Sequence, residues 1–304
     1  MSTVTVDPPS VRVRRRPKND LKVALAFITP AAVGFIVFFI YPLIKGVYFS
    51  FTDYSLAGSP NLVGFKNYVT MVHDPVFWTA LLVTLEYVAI NIISQTIVAL
   101  ILAVLMQRLT RSLLIRGVLL LPYLISNVVV AIVWWWMCDR LLGIVNQILP
   151  HLGIAPQAFF GSSALSIPTI ALVNTWRYVG YTALLIFAGL QTIPPDLYEA
   201  AAIDGATEVQ SFFRITMPLL RPVLALVLVV SITGSFQVFD TVAVTTKGAP
   251  GNATRVIYYY IYDLAFNRSH FGQASAMTVA LFVLLGTIAY FQMKLMRADQ
   301  SDLN

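Results

Sequence analysis

With 58% of its 304 residues hydrophobic and only 11% charged, the chain departs from soluble domains, which carry about 25% charged residues, and reads as an integral membrane protein. A net charge of +6 would suggest nucleic acid in a soluble protein. Here much of it lies in Arg12, Arg14, Arg15, Arg16, Lys18 and Lys22, ahead of the first apolar run, where it acts as a cytoplasmic retention signal and needs no nucleic acid partner.

The predicted fold is all-α: a polytopic membrane protein with six transmembrane helices. A basic cytoplasmic tail (1–22) precedes a membrane domain (23–296), and a second cytoplasmic tail follows (297–304). The spans are placed at 23–50, 77–106, 113–139, 166–190, 219–244 and 273–296, each near or above the roughly 20 residues that cross a bilayer core. The first apolar run is too long for the h-region of a cleaved leader, and no A-x-A site closes it, so it reads as a retained span.

The outer loop after it, "FTDYSLAGSPNLVGFKNYVTMVHDPVFW", carries Phe65, Tyr68, Phe77 and Trp78, read as an interfacial aromatic belt. Arg108, Arg111 and Arg116 follow the second span, and Lys294 and Arg297 follow the sixth. These charges put both termini in the cytoplasm of a multi-pass protein of the cell membrane, read as bacterial, although Lys247, Arg255 and Arg268 make the last outer loop less clean. Cys138 is the single cysteine and the three histidines are scattered, so no disulfide, metal site or redox chemistry is expected.

Between the fourth and fifth spans lies "QTIPPDLYEAAAIDGATEVQSFFRITMPLLRP". It reads as two short helices joined at Gly205. Pro194 and Pro195 suit a helix start, and Asp196 and Glu199 fall in a first turn that the helix dipole makes favourable for acids. Ala200, Ala201 and Ala202 give the first helix a smooth face. Gly205 ends it, Ala206 to Ile215 restart it, and Pro218 is expected to stop the second helix. Small residues flanked by an acid and a glycine suit close approach by another protein's backbone.

That stretch resembles the E-A-A...G...I-x-L-P cytoplasmic loop of permease subunits from binding-protein-dependent ATP-binding-cassette importers. The likeness runs through Glu199, Ala200, Ala201, Asp204, Gly205, Ala206, Phe213, Ile215 and Pro218, with Met217 where leucine is usual. "VGFKNY" with "DPVFW", "LLPYLISNVVVAIVWWW", "GIVNQIL", "FAGLQTIPPDLYEAAAIDGA" and "FQVFDTVAVTTKGAPGNAT" extend the resemblance, in order, to the carbohydrate branch typified by maltose and glycerol-3-phosphate permeases.

The resemblance implies that residues 192–218 form a coupling loop inserted into a cleft of a separate ATPase subunit, with Glu199, Ala200, Ala201, Asp204, Gly205, Ala206 and Pro218 as its site. It further implies a second permease subunit in a heterodimer, an external solute-binding protein, and a sugar or sugar-like solute. This chain, no enzyme itself, has no phosphate-loop motif and no cofactor; ATP and Mg belong to the partner ATPase. Lys247 and Ala249 stand where the family's turn has glycines, so its geometry is not carried over there.

Ionisable groups in spans are costly and raise functional hypotheses. Glu86 and Arg177 come out at similar depth and are expected to interact; separate snorkelling is the other reading. Asp240 is either part of a path or an interfacial acid. With Glu86, Asn127, Asn174, Arg177 and Gln237 it makes up the polar candidates for a translocation route, while Trp134, Trp135 and Trp136 read as interface anchors. The alternative function is a self-sufficient ion-coupled secondary transporter, disfavoured by the lack of a clear internal repeat.

Overall fold

The computed structural model describes residues 20–55, 58–109 and 112–296. The basic tail up to residue 19, Arg111, and the tail at 297–304 lie outside the described residues. The chain divides into two units, Met1–Tyr48 and Phe49–Asn304.

Helix α1 (Lys22–Ser50) supplies most of the described part of the first unit and ends two residues past its boundary; its Phe27, Phe38 and Phe39 are exposed, as a lipid-facing span requires. A π turn at Ile36–Ile40 interrupts it just ahead of Pro42. Proline lacks an N–H and crowds the carbonyl four residues back, and a widened turn immediately upstream relieves that crowding.

In the second unit an isolated bridge pairs Thr52 with Leu62. The helices that follow are α2 (Lys66–His73), α3 (Pro75–Leu109), α4 (Leu113–Leu124), α5 (Asn127–Met137), α6 (Ile144–Ile148) and α7 (Ser166–Leu190). Beyond α7 come α8 (Asp196–Ile203), α9 (Glu208–Ser211), α10 (Arg221–Phe236), α11 (Asp240–Val244), α12 (Ile257–Tyr262) and α13 (Phe271–Met296).

The organising helix is α7. Of its apolar window 61% is buried, against 22% for α3, and it lies against α3, α4 and α10. On α3 the buried stripe runs through Thr84, Tyr87, Asn91, Gln95, Ala99 and Ala103, at the three- and four-residue steps of one helix face. Small residues set the closeness of these contacts, as they do where lipid gives helices no hydrophobic reason to associate. A Cβ on Gly180 would fall 1.8 Å from the Leu119 carbonyl oxygen, so the backbone of α4 rests directly on α7.

The third expected span, 113–139, is not one helix. It is α4 and α5, bent by 89°. Pro122 withdraws an amide donor in the last turn of α4, Ile125 and Ser126 are extended with ψ of 141° and 139°, and α5 restarts at Asn127. Among the described residues five helices are long and apolar enough to cross a membrane, or six segments with the bent pair counted as one span. The aromatic belt is also revised, because Phe77 is buried in the core while Trp78 stays exposed. Lys247 takes φ 52°, a left-handed backbone held here without glycine.

Candidate functional site

A cavity of about 240 Å³ opens between α3, α7 and α10 and the two helix breaks, at Ile125–Ser126 and before Asp240. Four tyrosines face it: Tyr87, Tyr123, Tyr178 and Tyr181. Tyr123 and Tyr181 stack with centroids 4.6 Å apart. Of the expected path residues it gathers Asn127, Gln237 and Asp240, together with Asn174. Asn127 Nδ2 donates to Asp240 Oδ2 at 2.9 Å, joining the first residues of α5 and α11. Both polar side chains reach the cavity because each stands where its span breaks and restarts.

Arg177 and Glu86 are not among the lining residues, and the pairing expected between them is corrected. Arg177 is 8% exposed. Its Nε donates to Ile125 O at 3.0 Å, and Nη2 donates to Ile125 O at 2.8 Å and Tyr123 O at 3.1 Å. The guanidinium also lies 4.6 Å from the Tyr178 ring centroid and 5.6 Å from that of Tyr123. The charge is therefore held by carbonyls that the end of α4 leaves without helical partners, the favourable place for a cation. Glu86 is exposed, off the buried stripe of α3, and forms no ion pair with Arg177. The tryptophans divide: Trp134 packs edge-on against Trp176 at 5.6 Å, while Trp135 and Trp136 are exposed.

An uncharged polar belt, outside the expected path residues, forms part of the cavity wall. Asn91 Nδ2 donates to Ser235 Oγ at 2.9 Å, Gln95 Nε2 to Thr182 Oγ1 at 2.7 Å, and Thr175 Oγ1 to Asn91 Oδ1 at 3.2 Å. These bonds tie α3 to α7 and α10. Asn91 and Gln95 sit four residues apart in a run that is otherwise apolar but for Ser94 and Thr96, and that spacing is the signal the sequence offers.

The loop after α7 carries the second group of expected residues. Helix α8 starts after Pro195 with Asp196 and Glu199 in its first turn. It ends in a left-handed Gly205, φ 76°; Ala206 N donates to Ala201 O at 2.9 Å and Gly205 N to Ala202 O at 3.1 Å, the paired bonds of a Schellman cap. Glu199, Ala200, Asp204 and Gly205 are exposed, with Ala201 and Ala206 half-buried.

A capping box, Thr207 with Gln210, opens α9, and Arg108 pairs with Glu208 at its exposed start. Pro218 does not stop the helix as expected. A π turn at Phe212–Thr216 precedes it, and helical bonding continues through Leu220 N to Thr216 O into α10. This is the same accommodation seen before Pro42. Ile203, Val209 and Phe213 remain exposed on this loop.

A bundle of apolar helices enclosing a polar, tyrosine-faced cavity, with an exposed acidic helix between two spans, defines a membrane permease. The chain belongs to the binding-protein-dependent transport system inner membrane component family, whose pattern it matches over residues 95–300; it is a permease subunit of an ABC transporter. It is 34% identical to a probable ABC transporter permease protein, YurN, of Bacillus subtilis, over 91% of this chain and 96% of that one. It is 32% identical to the trehalose/maltose transport system permease protein MalF of Thermococcus litoralis, over 92% and 96% respectively. Among solved structures it resembles a chain of the bacterial alginate ABC transporter in complex with an alginate pentasaccharide-bound periplasmic protein. That likeness has a TM-score of 0.80 at 25% identity, covering 91% of this chain and 94% of the other.

Proposed function

We propose that this permease subunit forms part of the path by which an ATP-driven importer moves a sugar or sugar-like solute. The observation that carries this reading is the cavity, where four tyrosines stand beside amides, hydroxyls and a carboxylate. Aromatic faces suit the C–H surfaces of a sugar, and fixed polar groups suit its hydroxyls. The relatives support the same class, being named for trehalose and maltose in one case and for the acidic polysaccharide alginate in another.

In this reading residues 192–218 dock into a separate ATPase subunit that holds ATP and Mg. Glu199, Ala200, Ala201, Asp204, Gly205 and Ala206 meet that partner, and Pro218 lies where the loop passes into α10. A second permease of similar fold completes the path as a heterodimer, an external solute-binding protein delivers the solute, and both termini face the cytoplasm. Energy enters as a movement of the docked loop that biases two arrangements of the spans.

Vesicles holding the whole assembly test the reading: labelled sugar should accumulate only when ATP is supplied on the ATPase side and the solute-binding protein on the other. Accumulation without ATP would contradict it.

A further inference from the structure

The family leaves the charge of the solute open, and the cavity narrows it. Among the described residues its lining includes no lysine, arginine or histidine, and a single carboxylate, Asp240. The nearby guanidinium of Arg177 lies outside the lining, with Nε and Nη2 on the carbonyls of Tyr123 and Ile125 and Nη1 buried without a hydrogen-bond partner. Asp240 accepts one hydrogen bond among the described residues, from Asn127 to Oδ2, which leaves acceptor capacity for a ligand. An ionised carboxylate has no hydrogen to give.

We propose that Asp240 makes this path selective for uncharged, hydroxyl-rich solutes and excludes anionic sugars. The inference rests on the sugar-path reading above. A hydroxyl donates to Asp240 in a charge-assisted bond. A carboxylate or sulfonate in the same place meets a like charge with no cation in the lining to offset it, and such repulsion is a direct means of rejecting the wrong ligand. Asn91 and Gln95 already donate to Ser235 and Thr182, and the other amide donors of the wall, on Asn174 and Gln237, are uncharged.

The test uses the assembled transporter in lipid nanodiscs without its solute-binding protein, so that selection by the permeases is read alone. The probes are neutral mono- to trisaccharides and uronic acids of matching size, titrated at pH 7 against the shift in melting temperature. The wild type should respond to at least one neutral sugar and bind the matching uronate about tenfold or more weakly. Asp240→Asn, which keeps size and shape, should close most of that gap, whereas Asp263→Asn, outside the cavity, should leave it intact.

Equal or tighter binding of uronates by the wild type would overturn the proposal, as would a ratio unmoved by Asp240→Asn. In both cases binding of a neutral sugar would leave the sugar path standing. No response to any sugar in wild type and variant would overturn the sugar path, and the charge selectivity with it.

Discussion

Replacing Arg177 with glutamine removes donors from the carbonyls of Tyr123 and Ile125 and the ring contacts to Tyr123 and Tyr178. A hydrogen bond to a charged group contributes about 1.5–3 kcal/mol, and the purified variant should lose stability of that order in thermal melts. Arg177→Lys should recover only part, because an ammonium keeps the charge but not the planar fork that serves two carbonyls at once. Glu86→Gln should melt like the wild type, and the double variant should match Arg177→Gln alone; recovery in the double variant would restore the ion pair that the geometry replaces. Arg177 stood out in the sequence as an ionised group within a span, but its partners did not. They are main-chain carbonyls freed by a helix break, and pairing side-chain charges by depth does not find them. Asp240 and Asn127 were visible as polar residues in apolar runs; their contact, 113 residues apart in sequence, was not.

At the scale of elements, Gly180 separates α7 from the backbone of α4 so closely that no rotamer can absorb an added methyl. Gly180→Ala should cost about 1–3 kcal/mol, as overpacking does. Gly117→Ala, with nothing within 4 Å, should be harmless; equal melting of the two would deny the close contact. The α12–α13 connection is held by Asp263, which bonds Arg255 at 3.0 Å and Arg268 at 2.8 Å. Burial pushes its carboxyl up, but the Asn267 hydrogen bond and the two guanidiniums outweigh that and hold it below the ordinary value of 3.8. With the folded value depressed, its contribution is complete above about pH 4 and fades as pH falls through the folded value. Melting temperatures of wild type and Asp263→Asn should therefore differ steadily from pH 5 to 8 and converge only in stronger acid. The start of α8 and the turn at Gly205 were legible because prolines and glycine act through local sterics. The continuation past Pro218 was not, since a proline reads as a stop whether or not a π turn ahead of it carries the helix through, and the bend at Ile125 lay hidden in an apolar run that hydropathy averages into one span.

For the whole molecule, composition and run length made the membrane class plain, and the ordered motifs carried the family; the buried polar belt and the cavity required the packing of α3, α7 and α10. The proposed orientation predicts that cysteines placed at Ser59 and Asn252 react with an impermeant reagent from outside, and one at Asp204 does not; the opposite pattern would invert the topology. The central claim is that this permease is driven through its exposed loop by a separate ATPase, and Gly205 tests it most directly. A β-branched residue is strained at φ 76°, and its bulk would hold a docked partner away, yet Gly205 has open space around it in this chain, so insertion and abundance should survive. The measurement is co-purification of the ATPase subunit with Gly205→Val from membranes that contain normal amounts of the variant. The ATPase should be lost or sharply depleted; full retention of the ATPase would contradict the docking of this loop.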